Sequence, residues 1–296
     1  MSHSVGYWVQ ALRVTGAHWL AGGVLFGSFI FESWEMMILI FNSGSIAAEF
    51  SLTTAQVGSL IGALFLGMIP GSLLWGRLAD RFGRKRSIIA SFLLYAPLPL
   101  MCAFAPSYEV LWWLRLVCGM VLSGALVITF PYFEELIPVP VRGKATVYLS
   151  AGWPLGVLIA IAVTTLMSDA GWRWALGFSS VSLLWAYALW RWVPESPYWL
   201  TEQGKTKEAT AVIGRLSNGR VIAEISRPDD GTDSSGSLFD IFHRNALKIT
   251  ILQTLVNFCF SWGYWALASW MPTLLAKRGL STPDGLSFIA LSTLFM

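Results

Sequence analysis

The sequence predicts an all-α protein that crosses a membrane several times, and three observations support this prediction. Hydrophobic residues make up 55% of the 296 residues and charged residues only 12%, whereas a soluble domain carries roughly 25% charged residues. Apolar runs of the length that a bilayer requires, about 20 residues of helix, recur along the chain. The charged residues lie mainly between these runs, where the ends of membrane-spanning helices meet water.

Seven apolar runs and the start of an eighth are the candidate spans. They cover residues 17–41, 55–75, 87–106, 110–133, 145–167, 174–192 and 249–271, and the eighth begins near Leu286. Prolines inside these runs do not exclude helix, because neighbouring helices can satisfy the carbonyl groups that a proline leaves free. These prolines are Pro70, Pro97, Pro99, Pro131 and Pro154.

The composition also argues against several classes of function. A net charge of +3 is too small to indicate a nucleic-acid partner. The sequence has no metal-ligand spacing, nucleophile elbow or phosphate-binding loop, so we expect neither an enzyme nor a cofactor. Cys102, Cys118 and Cys259 lie inside apolar runs, and we expect them to be small buried hydrophobic residues. We expect no cleaved signal peptide, because a basic segment followed by a short apolar core is missing at the N-terminus.

The distribution of Lys and Arg predicts how the chain is oriented. The loops after the second, fourth and sixth runs are rich in cations, whereas the alternate loops hold almost none. Since cytoplasmic loops carry an excess of Lys and Arg, we expect the N-terminus and the loop at residues 200–245 to face the cytoplasm. The prediction is a multi-pass protein of the plasma (inner) membrane.

The long loop after the sixth run divides the chain. Residues 201–217 have helical spacing, with Ala209, Val212, Ile213 and Leu216 on one face, whereas residues 226–237 are polar and rich in Gly and Ser, as in a flexible linker. We therefore expect three regions: a six-span bundle at 1–200, a cytoplasmic loop with one amphipathic helix at 201–245, and the start of a second bundle at 246–296. This is the plan of proteins built from two related helical halves.

A charged stretch between the second and third runs carries a family resemblance. Residues 76–86, Gly76-Arg-Leu-Ala-Asp80-Arg81-Phe-Gly83-Arg84-Lys-Arg86, place five cations around one carboxylate. This stretch resembles the loop signature of the major facilitator superfamily. Four further stretches resemble motifs of that family at matching places: Arg115-Leu-Val-Cys-Gly119, Glu135-Leu-Ile-Pro-Val-Pro-Val-Arg142-Gly143, Gly171-Trp-Arg-Trp174 and Pro194-Glu195-Ser196-Pro197.

The resemblance implies a helical bundle of the major-facilitator type and a mechanism of alternating access, in which two halves rock around a central site. In such proteins cytoplasmic charges hold the outward-facing state. Gly83 would permit a tight turn, Asp80 would pair with a helix N-terminus of the opposite half, and Arg142, Glu135 and Glu195 would form a second cluster. The residues of this latch are Gly76, Asp80, Arg81, Gly83, Arg84, Glu135, Arg142 and Glu195. The alternative is a basic turn that only fixes the topology.

Three charged residues that lie away from the ends of the runs indicate proton coupling. Glu32, Glu35 and Arg115 each cost about 2.5–3.5 kcal/mol at a bilayer centre on insertion scales, so they should face a cavity or a partner. The stretch that contains Glu32 and Glu35 resembles the acidic first-span motif of proton-coupled metabolite symporters, whose acid pairs with the arginine matched here by Arg115. We expect Glu35 to approach Arg115, with Glu32 lining the same cavity. The alternatives are a static ion pair or a glutamate that reaches the interface.

Departures from the sugar-porter pattern favour a small organic solute, such as an organic anion, as the substrate. The seventh run continues as FCFSWGYW, which resembles the organic-solute branch that includes nicotinate and aromatic-acid carriers. A sugar porter remains an alternative. Candidate substrate-binding residues are Trp34, Trp153, Asn257, Trp262 and Tyr264.

The end of the sequence allows two interpretations. Residues 286–296 would cover about 16 Å as helix, which is roughly half of a hydrocarbon core. Either the chain is a fragment whose remaining C-terminal spans are missing, or it is a truncated product or scaffold that does not transport. The expected partners of the first are a small organic substrate, protons and the lipid bilayer, with no nucleic acid.

Overall fold

The computed structural model describes residues 4–220, 225, 244–279 and 282–293, and its regular elements are helices. The chain separates into two compact units. The first contains residues 1–227 and 288–296, and the second contains residues 228–287.

Twelve α-helices belong to the first unit up to residue 220. They are α1 Val5–Ala11, α2 Gly16–Phe50, α3 Thr54–Phe82, α4 Arg84–Tyr95, α5 Pro97–Ala103, α6 Tyr108–Leu136, α7 Arg142–Ser150, α8 Gly152–Leu166, α9 Trp172–Phe178, α10 Ser182–Trp192, α11 Pro197–Glu202 and α12 Thr206–Leu216. Short 3-10 turns at Val139–Val141 and Ser179–Val181 precede α7 and α10. Beyond residue 243 the chain forms α13 Arg244–Lys277 and α14 Thr282–Thr293.

Five stretches of the first unit are long and apolar enough to cross a membrane. They are Gly16–Phe50, Thr54–Phe82, Arg84–Ala103, Tyr108–Leu136 and Val139–Leu166. The sixth predicted span consists of α9, the 3-10 turn and α10 in succession. The predicted all-α membrane fold is therefore confirmed. The first and second spans run further than the sequence indicated, since α2 ends at Phe50 and α3 continues through Asp80 and Arg81 to Phe82.

Prolines explain two breaks in the spans. Proline lacks an N–H group and its ring clashes with the carbonyl four residues earlier. Pro97 accordingly starts α5 just after α4 ends at Tyr95, and Pro154 follows the break between α7 and α8 at Ala151. Pro70 and Pro131, by contrast, lie inside the unbroken helices α3 and α6. A proline in an apolar run therefore does not by itself locate a break.

Helices α3 and α6 pack backbone against backbone through glycines. A methyl group added at Gly67 would overlap the carbonyl of Leu116, and one added at Gly119 would overlap the carbonyl of Leu64. Small residues at such a contact allow two membrane helices to approach closely, which favours their association by van der Waals packing. We call this contact the α3–α6 seam.

A polar cluster ties together one end of the first unit, at the far end of α2. Arg173 forms an ion pair with Glu49 at 2.5 Å and donates hydrogen bonds to the carbonyls of Ala103 and Ala105 at 2.6 and 3.0 Å. Trp172 also donates to Glu49, at 2.6 Å. The ends of α2, α5 and α9 are thereby joined.

The amphipathic segment of the long loop docks on the first unit. Ala209, Ile213 and Leu216 of α12 are buried, and the Thr15 hydroxyl before α2 donates to the Leu216 carbonyl at 2.6 Å. The helical face predicted for residues 201–217 is therefore present, although it starts at Thr206. The linker predicted at residues 226–237 lies outside the described residues.

The seam generates a stability prediction. We expect Gly67→Ala to lower the free energy of unfolding by about 1–3 kcal/mol, because the added methyl group must push two backbones apart. Gly62 on the same helix is the matched control, since a methyl group there meets no atom within 4 Å. Thermal unfolding of both variants in detergent measures the difference. An equal stability of the two variants would contradict the close contact.

Candidate functional site

The candidate site is centred on the carboxyl group of Glu35 inside the first unit. Glu35 lies on α2 and is only 1% exposed. The hydroxyl group of Tyr95, the last residue of α4, donates a hydrogen bond to this carboxylate. Ser179 is a further polar neighbour of Glu35, although its hydroxyl makes no hydrogen bond of standard geometry. Two other spans therefore supply polar groups around this buried acid.

Arg115 approaches Glu35 but does not form the expected ion pair with its carboxylate. The guanidinium donates instead to the main-chain carbonyl of Glu35, at 3.4 Å. Both residues belong to the described part of the chain, where Arg115 Nε and Glu35 Oε1 have no hydrogen-bond partner. The proximity expected from the sequence is present, whereas the direct contact of the two charged groups is not. In this structure Tyr95 serves as the donor to the carboxylate.

Glu32 is buried one turn earlier on α2. Its side chain is fully buried, and neither carboxyl oxygen has a hydrogen-bond partner among the described residues. An unpaired charge in an apolar interior is costly, and binding a proton removes that cost. Glu32 is therefore a second buried acidic side chain on α2, and in the described residues it has no hydrogen-bond partner.

Tyr95 and Ser179 were not among the site residues predicted from the sequence. Both lie at interruptions of a span: Tyr95 precedes the Pro97 break, and Ser179 begins the 3-10 turn between α9 and α10. A stretch of 3-10 helix inside a longer helix often marks a hinge or a functional position. Pro97 was the only sequence feature that indicated a possible interruption next to Tyr95. No sequence feature indicated one at Ser179.

The cysteines next to this site follow the expectation only in part. Cys102 and Cys118 are buried, and their sulfur atoms lie 3.8 Å apart. Cys259 on α13 is exposed, so the expectation that it is buried was wrong. An apolar run indicates that a helix can lie in a membrane, but it does not indicate which way each side chain faces.

No group of three metal-ligating side chains occurs in the part of the chain that the structure describes.

A second polar cluster surrounds the turn from α3 to α4, which we call the Gly83 turn (residues 83–85). Gly83 has a φ of 102°, a conformation that side chains disfavour, and a methyl group there would also collide with the Glu195 carboxylate. Glu195 accepts hydrogen bonds from the backbone N–H groups of Lys85 and Ser196 at 2.9 and 3.0 Å. The tight turn expected at Gly83 is present.

Arg84 connects the turn to its neighbours. It forms ion pairs with Asp80 at 2.5 Å and with Glu135 at 3.3 Å. The Asp80 side chain is 74% exposed, and its main-chain carbonyl accepts a hydrogen bond from Trp199 at 2.7 Å. The Asp80 carboxylate is thus already paired within its own unit, yet it is open to a further partner.

The expected second cluster is only partly formed. Glu135 and Glu195 both reach the Gly83 turn, but Arg142 does not join them. Arg142 begins α7 and donates instead to the carbonyl of Ile137, at 3.5 Å. Among the remaining predicted latch residues, Arg81 is exposed beside the ring of Phe82 and Gly76 lies within α3.

The candidate substrate-binding residues are distributed over both units. Trp34 is buried and packs against Phe31 with ring centroids 5.3 Å apart. Trp153 is half-buried, and its carbonyl accepts a hydrogen bond from Ser33 at 2.9 Å. On α13, Asn257 and Trp262 are exposed and Tyr264 is half-buried. The residues of α13 belong to the second unit, whereas Trp34 and Trp153 belong to the first.

The fold and the buried charges define a multi-pass α-helical membrane protein whose bundle encloses ionisable groups. Comparison with known proteins then gives the family. The chain belongs to the Major Facilitator Superfamily, whose sequence model matches residues 24–296. Several of its curated relatives are named as transporters or transport proteins.

Three curated relatives illustrate the similarity. The niacin transporter NiaP of Acinetobacter baylyi is 27% identical over 290 residues, which cover 97% of this chain and 66% of the relative. The organic cation/carnitine transporter 7 of Arabidopsis thaliana is 32% identical over 71% of this chain and 40% of its own length. A putative metabolite transport protein of Haemophilus influenzae is 28% identical over 83% of this chain and 56% of its own length. The chain thus spans only part of these relatives.

Solved structures share the fold. A D-xylose–proton symporter is 20% identical, with a TM-score of 0.67 and coverage of 93% of this chain and 66% of the other. The partially occluded, inward-open xylose transporter XylE of E. coli has a TM-score of 0.64 at 20% identity, over 70% of this chain and 55% of the other. At this identity the similarity establishes the architecture alone.

The geometry around Glu35 generates a second stability prediction. We expect Tyr95→Phe to destabilise the protein by about 1–3 kcal/mol, because a buried carboxylate oxygen loses its donor. Tyr108→Phe is the matched control, since the Tyr108 hydroxyl makes only a 3.4 Å contact with the carbonyl of Gln56. Thermal unfolding of the purified variants measures both changes. An equal loss of stability in the two variants would show that the hydrogen bond from Tyr95 to Glu35 contributes no more than the contact of Tyr108.

Proposed function

We propose that the protein is a secondary transporter that moves a small organic solute by alternating access and couples this movement to protons. The observation that carries the proposal is the buried carboxyl group of Glu35. It accepts a hydrogen bond from the Tyr95 hydroxyl, and Arg115 of α6 donates to the main-chain carbonyl of the same residue. Ionisable residues inside membrane helices are rare and mark proton or substrate pathways. The transporters among the relatives support the same function.

The proposed mechanism uses the change in charge at Glu35. When the carboxyl group is ionised, the Tyr95 hydroxyl donates to it, and the neighbouring Arg115 offers positive charge. When the group takes up a proton, its attraction to Arg115 disappears. Arg115 has an unpaired Nε in the described structure, so its guanidinium has a donor available for another acceptor. Substrate binding and proton binding can thereby be linked through one side chain.

Glu32 extends this pathway. The two acids are three residues apart on α2, a spacing that places them on one face of the helix. Since Glu32 has no partner for either oxygen among the described residues, we propose it as the second proton-carrying group. Glu35, Glu32 and Arg115 are thus the proposed coupling residues.

The proposed substrate class is an organic anion or a similar metabolite. The first relative is named for niacin, which is a heteroaromatic carboxylic acid, and another is named for organic cations and carnitine. A cationic side chain with a free donor, Arg115, favours an anion of the first kind. The five aromatic and amide candidates named above remain proposed contacts. A sugar substrate has the support of fold similarity alone.

The Gly83 turn is proposed to act as a latch between two halves of the transporter. The exposed carboxylate of Asp80 is available to a cation or a helix N-terminus of a second half.

We also propose an orientation in the membrane: the N-terminus and residues 201–245 face the cytoplasm, and the protein lies in the plasma (inner) membrane. Residues 1–200 and 246–296 are proposed to belong to separate halves. The distribution of Lys and Arg supports this orientation.

Glu35→Gln tests the coupling. Because glutamine mimics the protonated acid and cannot ionise, we expect proton-driven accumulation to be lost while exchange of solute down its own gradient is retained. The protein is expressed from its full reading frame and reconstituted in vesicles, with radiolabelled niacin as the first probe. Accumulation is measured with and without an imposed proton gradient.

The matched control for this experiment is Glu109→Gln, an exposed acid in the first turn of α6, which should leave both activities intact. Full accumulation in Glu35→Gln would contradict a coupling role for this residue. Uptake of D-xylose instead of niacin by the unmodified protein would favour the sugar-porter alternative. The absence of transport for a panel of organic anions and sugars would favour a scaffold.

Asp80→Asn tests the latch. We expect transport to fall while the amount of inserted protein stays the same, because the ion pair with Arg84 and the available negative charge are lost. Asp169→Asn, an exposed acid between α8 and α9, is the control. Initial rates of uptake, normalised to protein in the membrane, give the comparison. Unchanged transport in Asp80→Asn would leave the turn with a role in topology only.

A further inference from the structure

A cavity of about 730 Å³ that does not include Glu35 lies beside the Gly83 turn, between the start of α4, the end of α10 and the helices α11 and α12. It is formed entirely within the first unit. Four cations line it: Lys85, Arg86, Lys205 and Arg215. Two carboxylates, Glu195 and Glu208, also line it. The cavity therefore carries an excess of two positive charges.

These cations are poorly compensated. Lys85 and Arg86 form no ion pair within 4.0 Å in the described ranges. Lys205 lies over the ring of Trp199 at 5.4 Å, and Arg215 donates to the carbonyl of Trp192 at 3.1 Å. The Glu195 carboxylate lies among these cations but takes its hydrogen bonds from backbone N–H groups and makes no ion pair with them within 4.0 Å in the described ranges. Two carboxylates against four cations leave the cavity with a positive excess. The cavity thus favours an anionic ligand.

The other wall of the cavity is apolar and faces outward. Leu93 and Trp190 line it and are 49% and 59% exposed. Both lie on membrane-spanning segments. Leu93 follows Lys85 by eight residues on α4, which corresponds to about 12 Å along the helix axis. Positive charge at the end of the span and apolar surface further into it match the two parts of a lipid molecule.

We propose that this cavity binds an anionic phospholipid. The phosphate group contacts Lys85, Lys205 and Arg215, and the acyl chains lie along Leu93 and Trp190. A tryptophan at this level is typical of a membrane interface. Anionic lipids are enriched in the cytoplasmic leaflet, so the site matches the orientation proposed above. It does not depend on the identity of the transported solute.

The position of the cavity links the lipid to the Gly83 turn. Lys85 is part of that turn, and its backbone N–H group binds Glu195, which also lines the cavity. A phosphate beside Lys85 adds negative charge next to the Arg84 ion pairs with Asp80 and Glu135. Lipid composition would in this way act on the proposed latch.

The test is a binding measurement on the purified full-length protein. Native mass spectrometry counts the bound molecules when the protein is titrated with phosphatidylglycerol or with phosphatidylcholine. We expect selective binding of phosphatidylglycerol, and we expect Lys85→Gln combined with Arg215→Gln to weaken it about tenfold or more, since each nearby cation contributes to the attraction. Glycerol phosphate added as a competitor should have no effect, because it lacks acyl chains.

The matched control replaces two cations outside the cavity, Arg77→Gln with Lys207→Gln, and should bind phosphatidylglycerol as the unmodified protein does. Circular dichroism checks that each variant is folded, and Lys205→Gln, an exposed side chain, replaces the double variant if that variant is not. Equal binding by the cavity variant and its control would overturn the site. Displacement by glycerol phosphate would overturn the lipid assignment in favour of a soluble phosphate ligand.

Discussion

The ion pairs and hydrogen bonds of the Gly83 turn hold the ends of four spans and the short helix α11 together. Arg84 of α4 pairs with Asp80 of α3 and Glu135 of α6, while Glu195, which follows α10, accepts from the backbone of the turn. Trp199 of α11 donates to the same region. These groups can converge only because Gly83 has no side chain. The end of each of these spans is thus fixed relative to the others by one short turn.

Much of the fold could be predicted from the sequence, because hydropathy depends on composition over about 20 residues and not on neighbours in space. The breaks were less predictable: Pro97 interrupts a span and Pro70 does not. Whether a proline breaks a helix depends on what surrounds it, which a local pattern does not contain.

The candidate site was predictable where it consists of charges. Glu35 and Arg115 are conspicuous because ionisable residues are rare in spans. Tyr95 and Ser179 are ordinary residues of such segments, and their position beside Glu35 depends on how α4 and the sixth span are rotated. The expected cluster of Arg142 with Glu135 and Glu195 is incomplete for the same reason, since the direction of the Arg142 side chain could not be read from the sequence. The sequence places these residues near one end of the bundle, whereas side-chain direction decides their contacts.

The α3–α6 seam has a mechanical consequence. The backbones of α3 and α6 touch through Gly67 and Gly119. Sliding or separating the two helices would disrupt many van der Waals contacts at once, so we expect them to move together as one rigid unit. Two other spans are interrupted. The third span has a joint at Ala96, between α4 and α5, and the sixth span has one at the 3-10 turn Ser179–Val181. Bending at a joint breaks few backbone hydrogen bonds. Shape changes within the bundle should therefore concentrate at these joints, whose adjoining residues Tyr95 and Ser179 lie beside the buried acid.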